Sequence, residues 1–348
     1  MRRFFDRDAS HYRLPSMQRY LPGLWLAGAI ALFAWLLQLA EERVFGHAAI
    51  EALVIALLLG IAWRAARGLH EAARPGVAFA GKQLLEFAVL MLGATINVPM
   101  VLKAGPVLLG AIVAVVVLGI SFSALIGRAV GLRPKLATLV AVGNSICGNS
   151  AIAAVAPVID AEPDDVASSI ALTAILGVAV ILLLPLLIPL LHLSFYQYGV
   201  LAGMTVYAVP QVLAATFPVS QVSGEIGTLV KLVRVLMLGP VVLFFSLRRR
   251  APGQKIAISR LVPWFIVGFL IMAAVRSVGL FPASLSDAVG NLSRILTVVA
   301  MAALGLEVNL PAVRRVGPQV AVAVVGSLLA LLAVALTLIL GLGIGAGM

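Results

Sequence analysis

Short polar breaks cut this chain into about eleven apolar runs, most of them twenty residues or longer. A hydrocarbon core about 30 Å thick is crossed by about 20 residues of helix. Inside lipid no water satisfies the backbone, so only helices or closed barrels can span it. Runs of this length and apolarity predict an all-α integral membrane protein of about 11 transmembrane helices. With 62% hydrophobic and 11% charged residues, a soluble domain is excluded. The runs lie near 21–40, 48–66, 77–97, 104–127, 135–159, 166–190, 195–216, 224–247, 258–279, 283–306 and 316–345. Residues 1–20 read as a polar, arginine-rich cytoplasmic segment and 21–348 as a single transmembrane domain. No cleavable secretory signal is expected, because the first apolar run starts near Leu21. A single cysteine, Cys147, excludes an internal disulfide and a cysteine-built zinc site, and no metal or cofactor is expected.

Charge then orients the spans. Of the 25 Lys and Arg, 18 fall in the N-terminal segment and the loops near 64–74, 128–135, 248–260 and 314–315. The opposite loops hold Arg43, Lys103 and Arg276, and the acidic run 160–165 is expected among them. The positive-inside bias predicts a cytoplasmic N-terminus, a periplasmic C-terminus and an inner-membrane location. It also accounts for the net charge of +11 without a nucleic-acid partner.

Residues 82–106 match 294–318, with nine of 25 positions identical. The shared frame is LG-x3-N-x-P-x-V-x3-GP, from Leu92, Gly93, Asn97, Pro99, Val101, Gly105 and Pro106 in the first copy. Lys82 and Arg294 occupy matching positions. The span count runs the first copy outward and the second inward, as an inverted-topology repeat requires. Such repeats build secondary transporters around a central site.

Two spans look broken. In 134–159 the tripeptide Gly-Asn-Ser occurs twice, at 143–145 and 148–150. Glycine is costly in a helix, and Asn and Ser compete for the backbone. The pattern predicts a half-helix ending near Gly143, a short link, and a second half starting near Asn149 or Ser150, whose free N–H groups suit an anion. In 203–219, Pro210 is expected to kink or interrupt the helix, with Gln211 beside the break. A faint likeness links 143–158 to 203–218. Packing kinks lined by small residues would leave similar patterns.

Ionisable side chains inside spans are candidates for function. Lys82 and Glu86 are four apart on one face; Arg294 has no acid three or four residues away; Lys231 and Arg234 line a cavity or answer Glu225. Glu86 and Glu307 are candidates for carrying a coupling proton or sodium ion, with Glu225 and Asp287 the other carboxylates. No histidine lies mid-span, which argues against a histidine relay.

The string GNSICGNSAIAAVAPVI (143–159) closely resembles the signature of the YeiH-type membrane proteins, grouped under the name of sulfate exporters. The resemblance covers nearly the whole chain. It implies a bacterial inner-membrane permease for which sulfur oxyanions are suggested by analogy, and related carriers are often homodimers. Fold analogy alone does not fix a substrate.

The combined expectation is a secondary transporter of a small anion, with sulfate, sulfite or an organic sulfonate as the favoured class, working by alternating access. Asn144, Ser145, Gly148, Asn149, Ser150 and Gln211 would hold the anion, and Lys82 and Arg294 would supply charge. The nearer rival is a cation/proton antiporter, which would centre on buried carboxylates. An intramembrane serine protease would need a base that no mid-span histidine supplies, and no HExxH zinc motif is present; no enzyme is expected.

Overall fold

A computed structural model describes residues 17–45, 51–95, 105–249, 263–280, 282–308 and 317–345. Among these the regular secondary structure is all helix. The elements are α1 (Leu21–Phe45), α2 (Ala52–Arg67), α3 (Glu71–Thr95, wound as a π turn over Ala80–Leu84), α4 (Gly105–Ala129), α5 (Pro134–Val142), α6 (Asn149–Val155), α7 (Pro163–Leu183, continued by short turns to Leu191), α8 (Phe195–Thr205), α9 (Val209–Thr216), α10 (Gln221–Leu236), α11 (Leu238–Arg249), α12 (Trp264–Ser277), α13 (Ala283–Glu307) and α14 (Pro318–Gly341).

Among the described residues, seven helices are long and apolar enough to cross a membrane: 21–44, 71–95, 105–129, 163–191, 221–248, 285–307 and 318–341. The four other expected spans take shorter forms. That at 48–66 is the 16-residue α2, and that at 258–279 is the 14-residue α12. Those at 135–159 and 195–216 are interrupted.

Two compact units are present. The first comprises residues up to Leu85 together with Val298–Glu307. In it, α2 crosses the end of α13 at a glycine pair. A Cβ at Gly60 would lie 2.4 Å from Ala302 O, and one at Gly305 would lie 2.3 Å from Leu57 O, so neither position admits a side chain. Lys82 is exposed on the π turn of α3. A Cβ at Gly81 would sit 3.6 Å from the Glu307 carboxylate.

The second unit comprises 86–297 and 308–348. Its part of α3 runs antiparallel to α13: Ser293 Oγ donates to Ala88 O and Ser286 Oγ to Ala94 O, both at 2.7 Å. Gly93, the repeat partner of Gly305, is also a crossing point, with Phe269 O 2.3 Å from where its Cβ would be. Three matched pairs, Asn97 and Asn309, Pro99 and Pro311, and Val101 and Val313, lie outside the described residues.

The interrupted segments do not cross. Arg133, just before α5, pairs with Glu162 at 2.6 Å and with Asp165 in the first turn of α7. Lys135 Nζ donates to Asp160 O. Both ends of 134–162 therefore meet at one end of the unit, and α5–α6 is a hairpin that goes in and returns. Deeper in, a Cβ at Gly143 would lie 3.7 Å from Thr173 Cγ2, so α7 then runs parallel to α5. The second segment repeats the plan. Ser223 Oγ, at the start of α10, donates to Phe195 O at 2.7 Å, and Tyr198 OH donates to Ala215 O across the hairpin. A Cβ at Gly203 would meet Val230 at 2.7 Å, so α10 runs parallel to α8. Because α7 joins one hairpin to the other, the two enter from opposite ends.

The expected topology is corrected in one respect. The acidic run 160–165 lies at the same end as Arg133 and Lys135, not opposite them. Two crossings are removed together, so parity beyond α10 is unchanged. Local hydropathy cannot distinguish a helix that crosses from one that turns back at its break; the long-range pairing of Arg133 decides it.

Candidate functional site

The tips of the two hairpins meet. After α5 the backbone widens to a π turn over Gly143–Cys147, and the break falls at Gly148 with φ 64° and ψ −125°. That left-handed region is open to glycine and strained for other residues. A Cβ at Gly148 would lie 3.3 Å from Tyr207 Cβ on the second tip. There the chain stays extended through Val206 and Ala208, and α9 starts at Val209. Pro210 therefore sits in the first turn of α9, where its missing N–H removes no helix bond. It starts the second half-helix; the interruption lies before it.

Both tips end helices whose last carbonyls would be unpaired in a dry interior. Two side chains from α10 answer them. Lys231 Nζ donates to Ile146 O at 2.6 Å and to Val206 O at 2.7 Å. Arg234 Nε donates to Ser145 O at 2.8 Å, Nη1 to Val206 O at 3.0 Å and Gly203 O at 3.4 Å, and Nη2 to Asn144 O. Lys231 and Arg234 are both 0% exposed and form no ion pair among the described residues. Spaced i,i+3, they share one face of α10. They place two basic groups where the negative ends of two helix dipoles converge.

The expected anion-holding residues are gathered here. Asn144, Ser145 and Gly148 are buried in the first tip; Asn149 and Ser150 are exposed at the start of α6. Asn149 Oδ1 accepts from Thr173 Oγ1 at 2.8 Å. Gln211 Oε1 accepts from Ala208 N at 3.0 Å, and its amide packs where Gly177 leaves room. Thr173 and Gly177 are one turn apart on α7, so both second half-helices start against the same face of that helix.

The other expected residues lie elsewhere. Arg294 is exposed on α13, and Lys82 belongs to the first unit. Glu86 Oε2 accepts from Trp264 Nε1 at 2.7 Å, and Glu307 belongs to the first unit. Glu225 accepts from Gln221 Nε2 at 2.9 Å. Sequence reasoning noticed Lys231 and Arg234 as charges within a span but gave them no place in the site. Their partners are backbone carbonyls brought together by long-range folding, which no residue pattern announces.

Comparison with known proteins agrees with the resemblance seen in residues 143–159. The family described as conserved hypothetical protein 698 matches residues 22–324. The chain belongs to this family. It is the YeiH-type family anticipated from the double Gly-Asn-Ser string. A UPF0324 membrane protein of Brucella melitensis biotype 1 is 53% identical over 330 residues, covering 94% of this chain and 92% of the relative. One of Bradyrhizobium diazoefficiens is 52% identical over 324 residues, covering 92% of each. One of Bacillus cereus strain ATCC 14579 is 38% identical over 308 residues, covering 86% of this chain and 88% of the relative. No solved structure matches the chain.

Proposed function

We propose that this family member is a secondary transporter of a small anion, with sulfate, sulfite and organic sulfonates the favoured class, worked by alternating access. One observation carries the reading: Lys231 and Arg234 are fully buried, bear no carboxylate partner among the described residues, and sit where two opposed hairpin tips meet. Carbonyl dipoles solvate these cations without cancelling their charge. At an effective dielectric constant of about 20, a unit anion about 6 Å away gains roughly 3 kcal/mol from each. An exposed cation such as Arg294 is screened and contributes less. A site built for a cation would instead present carboxylates there.

Unwound backbone at membrane depth is tolerated where it is buried or lines a cavity, and opposed breaks of this kind hold substrates in carriers. Asn144, Ser145, Gly148, Asn149, Ser150 and Gln211 are the proposed contacts, with Lys82 and Arg294 as further sources of charge and Glu86 or Glu307 as carriers of a coupling proton or sodium ion. Homodimerisation is part of the same proposal. The end of the second unit bearing Arg128, Arg133, Lys135 and Arg248 is assigned to the cytoplasm of a bacterial inner membrane by the positive-inside bias. The C-terminus then faces the periplasm and the N-terminus the cytoplasm.

The test is flux in proteoliposomes carrying the full chain. Saturable exchange of labelled sulfite or sulfate, with counterflow, is expected, and Arg294→Gln should weaken it. Single-channel conductance would make the protein a channel. Exchange of sodium for protons, indifferent to every anion tried, would make it an antiporter.

A further inference from the structure

Beside the tip of the first hairpin, on α4, the π turn and α14, four polar side chains have buried atoms without a hydrogen-bond partner among the described residues: Ser123 Oγ, Asn144 Oδ1, Ser145 Oγ and Ser327 Oγ. The residues are 1%, 0%, 0% and 2% exposed. Their condition is not general in this chain. Ser121, Thr205, Thr216, Thr228, Ser277 and Thr297 each donate back to the carbonyl four residues earlier. Ser123 and Ser327 do not, although both are helical.

The four share one locus. Asn144 Nδ2 donates to Val324 O of α14 at 3.1 Å, which fixes the amide and turns Oδ1 away from that carbonyl. Ser327 lies about one turn beyond Val324 on the same face. A Cβ at Gly119 of α4 would lie 2.9 Å from Ser145 Oγ, so the glycine lets that hydroxyl pack against α4, and Ser123 is one turn further along the same face. Gly119 faces Leu331 while Ile126 faces Gly326, so α4 and α14 are antiparallel and Ser123 and Ser327 fall at one level. Two buried cations lie behind this locus, because the carbonyls of Asn144 and Ser145 are bonded to Arg234 and that of Ile146 to Lys231. α14 carries no charged residue, and the one charge of α4, Arg128, is exposed at its far end. The titratable groups about the tip are thus Lys231, Arg234, Cys147 and Tyr207.

A buried hydroxyl or amide oxygen left unpaired is costly, so such a cluster points to an occupant. A cation is disfavoured by Lys231 and Arg234. An oxyanion is favoured, and its oxygens can take three hydroxyl donors. Asn144 Oδ1 only accepts, however, and would repel an oxyanion oxygen that carries no proton. Resting on the anion-carrier reading, we propose that Ser123, Ser145, Ser327 and Asn144 bind the transported anion. The site takes a small monoanionic oxyanion that keeps one hydroxyl, as hydrogensulfite does. The three serines donate to its bare oxygens, and its hydroxyl donates to Asn144 Oδ1.

The test is thermal stabilisation of the purified full chain by sulfite and by sulfate, on either side of the second ionisation of sulfite, each against an anion-free control at the same pH. Sulfate stays a dianion throughout. The expected result is stabilisation by sulfite that strengthens as pH falls and exceeds that of sulfate. It should weaken about tenfold or more in apparent affinity in Ser123→Ala/Ser327→Ala, while Ser121→Ala, exposed and back-bonded, behaves as the parent. Should the double variant not be recovered folded, Ser145→Ala carries the same comparison. Equal response to sulfate and sulfite, or full binding by the serine variants, overturns this assignment and leaves the anion carrier standing. Serine variants that are more stable yet bind anions unchanged would show that the hydroxyls hold an internal water only. No stabilisation by either anion, together with no anion flux, overturns the carrier reading itself.

Discussion

The two hairpin tips reach the same architecture by different chemistry. The first relies on Gly148 at positive φ and on a π turn rich in small polar residues. The second has no glycine at its break: Val206 and Ala208 are extended, and Pro210 opens the next half-helix. The two N-caps, Gly148 and Ala208, are 60 residues apart, the offset of the faint likeness between 143–158 and 203–218. The long helices that succeed the two hairpins differ more. α7 presents neutral Thr173 and Gly177 to the breaks, whereas α10 presents Lys231 and Arg234 and bonds to both tips. The plan is thus two-fold in backbone and one-sided in charge. A motion that displaces α10 would remove the charge from both tips at once.

The largest effect expected is all-or-none and tests the plan itself. With Cys147→Ala as background, cysteines in place of Arg128 and Glu162 should react with a membrane-impermeant thiol reagent from one face. Cysteines in place of His192 and Gln221 should react from the other. Reaction of the Arg128 and Glu162 positions from opposite faces would mean that 134–162 crosses, and the hairpin comparison would collapse.

The next effect separates the two cations. Arg234 serves four carbonyls and Lys231 two. At about 1 kcal/mol net for each bond lost, Arg234→Ala should cost roughly 3–4 kcal/mol and Lys231→Ala about 2 kcal/mol. Denaturant or thermal unfolding in detergent measures both. Arg234→Lys should recover part of the loss, because an ammonium reaches fewer of the four acceptors. Equal costs for the two alanine variants would mean that charge, not carbonyl capping, dominates at the crossing.

Much of this was legible in the residues. The double Gly-Asn-Ser placed the first break within a residue or two, since glycine and short polar side chains oppose helix continuation wherever they occur. Helical spans were readable as runs of apolar residues, and Lys231 and Arg234 were visible as charges out of place. Three things were not legible. That the broken segments return rather than cross depends on Arg133 meeting Glu162 and Asp165, about thirty residues on. Lys231 and Arg234 have carbonyl partners about 25 to 90 residues away, and backbone acceptors leave no mark in sequence. Pro210 signals a discontinuity, but the same residue suits a kink or a helix start, and only the extended Val206 and Ala208 show which applies. Side-chain chemistry told where the chain breaks, while the contacts that give the breaks a use are made through the main chain.

The smallest effect is the most direct comparison of the tips, an exchange of residue type at the two N-caps. At Gly148, φ 64° with ψ −125° is strained for alanine, and the added Cβ would meet Tyr207 Cβ at 3.3 Å. Gly148→Ala should therefore cost about 1–3 kcal/mol, through strain and displacement of the second tip. At Ala208, φ −102° and ψ 152° suit any residue, and glycine adds only unfolded-state freedom. Ala208→Gly should cost less than about 1 kcal/mol. Unfolding of both variants in the same detergent gives the ratio. A larger loss at Ala208 would mean that the second tip is held by its own backbone stiffness. A larger loss at Gly148 would mean that the first tip alone needs the left-handed conformation, with the second seated against it through Tyr207.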